Sequence, residues 1–96
     1  MPAYCLFENV EISDLSRLED YKRDVAPTVE RFGGRYVVLG GRVDRMEGDW
    51  APRFLVMIEF PELERAHAWY GSPEYAELKR LRLSAGRFNA VFIEGL

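Results

Sequence analysis

Residues 53–60 read RFLVMIEF, the clearest strand in the chain. Phe54, Val56, Ile58 and Phe60 alternate with Leu55 and Met57, so the strand is apolar on both faces. A strand with one face in water alternates apolar with polar residues instead. This one needs cover on both sides. RFNAVFIEG at 87–95 has the same character, because Phe88, Ala90 and Phe92 alternate with Val91 and Ile93.

Outward from these two strands, the remaining elements follow from period and punctuation. AYCLFENVEI, 3–12, is rich in β-formers and has the length of a strand. The pattern then turns helical, with Leu15, Leu18, Tyr21, Val25, Val29 and Phe32 recurring at intervals of three and four. Asp14 or Ser16 can cap that helix, Ser16 with Glu19 making a capping box. Gly33 and Gly34 stop it, and Pro27 inside it predicts a kink. RYVVL at 35–39, the Gly40-Gly41 step and RVDRME at 42–47 read as one bent strand with a glycine bulge, or else a tight hairpin. GDWAP, 48–52, is a turn, and PELERAHAWYG, 61–71, is a short helix. The helix restarts at SPEY, where Ser72 suits the N-cap, Pro73 the first helical position and Glu74 the positive helix end. Leu78, Leu81 and Ala85 continue an apolar stripe.

The resulting order is βαββαβ, a single domain over 1–96. It predicts an α+β, ferredoxin-like sandwich with a four-stranded antiparallel sheet and helices on one face. The two-faced strands then require cover on the open face. A homodimer through that open sheet face is the simplest way to supply it.

Composition points the same way. A chain of 96 residues buries a modest core. Its 48% hydrophobic and 14% aromatic content is rich for that size and implies burial against a partner. A net charge of −3 offers no basic field for nucleic acid or an anionic membrane. The single Cys5 excludes an internal disulfide and fits a reducing cytosol. The opening MPAYCLFENVEI lacks a basic leader segment, and no stretch approaches the ~18 apolar residues of a membrane span. A soluble cytoplasmic domain is expected, with no nucleic-acid or membrane partner.

The chemistry is less legible. His67 is the only histidine, and it lies about 40° beyond Leu63, at the margin of the arc that Leu63, Ala66, Trp69 and Tyr70 share. A general base must meet a geometric test before it counts as one. Without a second histidine or a cysteine pair, no metal cluster is expected, and no nucleophile motif surrounds the serines. Trp69, Tyr70 and Tyr75 suit either a pocket for a planar ligand or plain packing. Glu8 and Glu59 each interrupt an apolar strand. They are candidate acid–base residues, or else carboxylates at a wet edge paired with an arginine such as Arg35 or Arg53. The two Gly-Gly-Arg steps, 33–35 and 40–42, lack the spacing of a phosphate cradle. RNA-recognition domains share this topology, but RFLVMIEF lacks the glycines of their third-strand signature. Cys5 reads as a strand residue.

With these residues set out, the chain resembles the DUF1330 family of small bacterial proteins. The likeness is carried by RFGGRYVVLGGRVDRMEGDW (31–50), VMIEFP (56–61) and AWYGSPEYAELKRLR (68–82). It implies a ferredoxin-like, dimeric α/β barrel and delivers no activity. Similar barrels include cofactor-free monooxygenases, lactone isomerases and haem-dependent enzymes, so the fold alone decides nothing.

Two readings of function follow. In the first, each subunit has a pocket between sheet and helices that binds or transforms a small aromatic or enol-like metabolite, without metal or cofactor. His67, Trp69 and Tyr70 would form one wall, and Tyr4, Glu8 and Glu59 the opposite one. His67, Glu59 and Glu8 would be the catalytic groups, and Tyr4, Trp69 and Tyr70 the ligand contacts. In the second, the protein is a non-catalytic homodimeric module.

Overall fold

The computed structural model describes residues 1–96. Seven elements follow in order: β1 (Ala3–Ile12), α1 (Leu15–Arg31), β2 (Arg35–Leu39), β3 (Leu55–Phe60), α2 (Leu63–Tyr70), α3 (Pro73–Ser84) and β4 (Gly86–Glu94). The sheet order is β2-β3-β1-β4, and every neighbouring pair is antiparallel. Each strand–helix–strand unit is therefore split by a third strand. This is the expected βαββαβ ferredoxin-like sandwich.

The ends of α1 show how local chemistry sets the frame. Of the two candidate caps it is Asp14 that acts, its Oδ1 accepting the N–H of Arg17 at 3.1 Å. Ser16 lies inside the first turn, so the capping box does not form. At the other end the Gly33 N–H donates to Glu30 O and the Gly34 N–H to Val29 O, at 3.0 Å each. Those two bonds, with Gly33 at φ +83, make a Schellman stop. Pro27 sits within the helix, and next to it Thr28 Oγ1 donates to Val25 O at 2.7 Å.

One expectation is corrected here. The second strand does not continue through Gly40-Gly41 into 42–47; it ends at Leu39. Gly40 takes a left-handed φ of +67, and a Cβ there would lie 2.3 Å from the Phe54 ring. The chain turns away at that point because β2 is an edge strand whose one partner, β3, begins only at Leu55. The bulge falls at Val37, between the pairs Tyr36–Ile58 and Val38–Met57, and not at the glycines.

Strand alternation sorts the sheet into two faces. Cys5, Phe7, Ile58 and Phe60 face the helices and join Val25, Val29, Ala66, Trp69 and Tyr75 in the core. Trp69 is fully buried at its centre, with ring centroids 4.2 Å from Tyr75, 5.6 Å from Phe60 and 6.2 Å from Phe7. Its Nε1–H donates to Thr28 Oγ1 at 3.0 Å, so the one polar atom of the ring is satisfied. On the opposite face Leu6 pairs with Met57 and Val91, and Tyr4 with Glu59 and Ile93. Nothing covers that face, and Val91 and Ile93 are about half exposed on it, at 52% and 54%.

Candidate functional site

Between α1, α3 and the inner face of the sheet lies a cavity of about 280 Å³. A cavity of ~150 Å³ already holds benzene, so this one has room for a planar molecule of two rings. Its 14 lining residues include 11 hydrophobic ones and no aspartate or glutamate. The polar members are Asn9, Lys22 and Arg82, with the hydroxyls of Tyr21 and Tyr36 on otherwise apolar rings.

Arg82 is the unusual group. Only 4% of its surface is exposed, and it has no carboxylate partner. Its guanidinium carbon sits 5.2 Å from the Phe7 ring centre and 5.0 Å from that of Phe88. Two ring faces therefore replace part of its lost hydration. Its Nε donates to Tyr75 Oη at 3.3 Å, and Tyr75 Oη shares a proton with Tyr21 Oη at 2.8 Å. Burial pushes the Tyr21 hydroxyl well above the ordinary range, raises that of Tyr75, and brings Tyr36 up to about 12. All three are neutral at physiological pH, as hydrogen-bond donors rather than bases. With Arg82 donating to Tyr75 Oη, the Tyr75 O–H can donate to Tyr21 Oη and leave the Tyr21 O–H free to donate to another acceptor. The arrangement suits holding and stabilising an oxygen that carries negative charge.

The six residues singled out from the sequence do not meet in this cavity. Because Cys5, Phe7, Ile58 and Phe60 point inward, period two sends Tyr4, Glu8 and Glu59 to the outer face. There Glu59 accepts from Arg35 Nε at 2.8 Å and from Tyr4 Oη at 3.1 Å. Those two hydrogen bonds, Arg35 first, hold its carboxyl below the usual range. The bond to Glu59 pushes the Tyr4 phenol up. Glu8 accepts from Asn89 Nδ2 at 3.0 Å and from Trp50 Nε1 at 3.1 Å. His67 is exposed on α2, its ring 5.3 Å from that of Phe92. Trp69 lies in the core, and half-buried Tyr70 carries Lys79 Nζ 4.2 Å above its ring. The expected pocket, walled by His67, Trp69 and Tyr70 against Tyr4, Glu8 and Glu59, is thus replaced by one on the α1–α3 side. Cys5 is a buried thiol whose pKa burial raises to about 12, in keeping with a strand residue.

Arg82 and Tyr21 escaped notice in the sequence, although a signal was present. Tyr75, Leu78, Arg82 and Ala85 share one helical stripe, and a charge on an apolar stripe is what needs explaining.

Several solved structures have the same fold. The chain is 20% identical to RPA0582 of Rhodopseudomonas palustris, a protein of unknown function, at a TM-score of 0.78, covering 99% of this chain and 82% of that one. It is 11% identical to a dimeric ferredoxin-like protein of Jannaschia sp. CCS1, at a TM-score of 0.73, covering 99% and 100%. It is 9% identical to SnoaB, a cofactor-independent oxygenase of Streptomyces nogalater, at a TM-score of 0.72, covering 99% and 93%. At these identities the likeness is one of fold. Among curated proteins none matches the chain. The family model described as a domain of unknown function, DUF1330, matches residues 2–96, and the chain belongs to that family.

Proposed function

We propose that the protein is a homodimer whose subunits each bind a small, planar, aromatic or enol-like molecule in the cavity between α1, α3 and the sheet. The observation that carries this reading is the cavity itself: about 280 Å³, walled by aromatic and aliphatic side chains, with a few polar groups among them. Binding sites for small molecules have that make-up. The dimer is supported by the uncovered apolar sheet face, and by the Jannaschia protein of the same fold, which is dimeric. SnoaB, on the same fold, is a cofactor-independent oxygenase. It lends support to proton transfer or metal-free oxidation as the chemistry of such a cavity. In that chemistry Tyr21, Tyr75 and Arg82 would stabilise the enolate oxygen, while His67, Glu8 and Glu59 lie elsewhere.

Calorimetric titration with 2-naphthol tests the site. One molecule should bind per chain. Ala26→Phe, which puts a ring into the cavity from α1, should weaken binding at least tenfold while leaving the fold intact by circular dichroism. Equal binding by the two proteins, or no binding to the wild type, would remove the cavity from consideration. The second reading, a module without catalysis, is favoured by the lining itself, which holds no histidine, aspartate or glutamate to act as a base near neutrality. It predicts binding without turnover.

A further inference from the structure

We infer that the cavity is specific for anions, and that Arg82 is the residue that reads a planar aromatic carboxylate in it. This rests on the cavity being a ligand site, as proposed above, and adds the charge and the shape of what enters.

The first argument is one of sign. The protein as a whole is acidic, at −3, yet the cavity lining contains two cations and no acid. Lys22 belongs to the exposed surface of α1, its Nζ 5.4 Å from the centre of the Phe54 ring. Arg82 is buried. An anion entering here meets an apolar wall, a lysine and a guanidinium, against the field of the molecule as a whole.

The second argument is one of unfilled donors. A guanidinium carries five N–H groups and cannot be deprotonated in a protein. Nε is the one nitrogen of Arg82 that donates to a protein acceptor, Tyr75 Oη. No side-chain nitrogen or oxygen is both fully buried and without a partner. The two terminal nitrogens of Arg82 therefore keep some accessible surface, and the cavity is a space that Arg82 lines. Leaving a buried charge without its counter-ion is costly. Phe7 and Phe88 lower that cost by lying against the guanidinium, but ring faces do not accept its in-plane N–H groups as an oxygen does.

The third argument is one of shape. Two adjacent terminal nitrogens form a fork that matches the two oxygens of one carboxylate. Nearby, the Tyr21 hydroxyl can donate to one of the same oxygens, since Tyr75 can supply the proton that Tyr21 Oη accepts. The aromatic body of the ligand would then lie along Val25, Ala26, Val56 and Phe54.

The test compares naphthalene-2-carboxylate with naphthalene-2-carboxamide, its neutral isostere, by calorimetry at pH 7 on the wild-type protein and on Arg82→Met. The wild type should bind the carboxylate at least tenfold more tightly. Arg82→Met should reduce that preference to less than threefold, its loss falling mainly on the carboxylate. Carboxylate and carboxamide binding the wild type equally would overturn the inference and leave the cavity reading standing. Failure of both to bind would overturn the two together. A preference that survives Arg82→Met but is lost in Lys22→Gln would transfer the anion site to the cavity mouth, and so overturn the assignment to Arg82. Should Arg82→Met fail to fold, the wild-type comparison still decides between an anion site and a neutral one.

Discussion

At the scale of single residues, the polar groups beside the cavity are tyrosines and an arginine, where the sequence draws the eye to a histidine and two glutamates. His67 stands out in a sequence because it is alone and titrates near neutrality. Its place on the exposed side of α2 comes from helical phase, which puts Ala66 and Trp69 inward and leaves the position between them outside. Glu8 and Glu59 stand out because they interrupt apolar strands, yet both face outward and have two donors each. Tyr21 and Tyr36 attract no attention in the sequence, and Tyr75 reads there as pocket wall or plain packing, because a tyrosine at helical or strand spacing is ordinary core material. Burial changes what they are, and that has a measurable consequence. Their folded pKa values lie above the ~10 of an unfolded tyrosine. Above pH 10 the unfolded chain loses protons that the folded chain keeps, so stability falls as pH rises. The contribution is complete below pH 10 and is lost toward about 12, where Tyr36 titrates. Urea midpoints measured from pH 8 to 11 should be level at first and decline beyond 10. Tyr36→Phe should make that decline shallower, and an unchanged slope would contradict the burial described.

At the scale of elements, most boundaries were legible in the sequence because each has a local chemical cause. Strand β1 runs over the expected residues, 3–12. The helix restart at Ser72 is equally local: Ser72 Oγ accepts the N–H of Tyr75 at 3.2 Å and donates to Trp69 O at 2.8 Å. One hydroxyl thus starts α3 and closes α2, and it does so with both Trp69 and Tyr75 fully buried beside it. Ser72→Ala should cost about 1–2 kcal/mol in denaturant unfolding, the upper range for a lost N-cap, because the cap is buried and serves two bonds. A loss below ~0.5 kcal/mol would show that water replaces it. Strand β2 was misread beyond Leu39 for the opposite reason. Nothing local forbids RVDRME from being extended; pairing decides it, and pairing depends on where β3 begins. The cavity was illegible on the same ground. It is formed by α1, α3 and all four strands, which the sequence does not place beside one another, and Arg82 acquires meaning only once Phe7 and Phe88 flank it.

At the scale of the whole molecule, the shape poses the remaining question. The protein is a slab, 36 × 34 Å across and 17 Å thick, with helices on one broad side and bare sheet on the other. Leu6 and Met57 are central on the bare side, Val91 and Ile93 lie beside them on the edge strand β4, and the carboxylates that interrupt the face are already paired. Glu59 is held by Arg35 and Tyr4, and Glu8 by Trp50 and Asn89. A carboxylate with its donors in place can be covered at far lower cost than a free one. The proposed homodimer would cover a surface that is apolar at the centre and has its charges satisfied within the chain. The proposed homodimer therefore depends on the sheet face and not on the cavity, which opens on the α1–α3 side. Val91, on the edge strand β4, pairs with Leu6 in the register and is half exposed, so Val91→Glu sets an unpartnered charge beside Leu6 on that face without disturbing the core. Light scattering at micromolar concentration should give a dimer for the wild type and a monomer for Val91→Glu, a weakening of at least a hundredfold. The monomer should still bind 2-naphthol, since no residue lining the cavity comes from the outer face. A Val91→Glu protein that remains dimeric would place the interface elsewhere. A monomer that loses the ligand would show that the two faces of the sheet are coupled, with the partner subunit holding in place the strands on which Phe7, Val56 and Phe88 line the cavity.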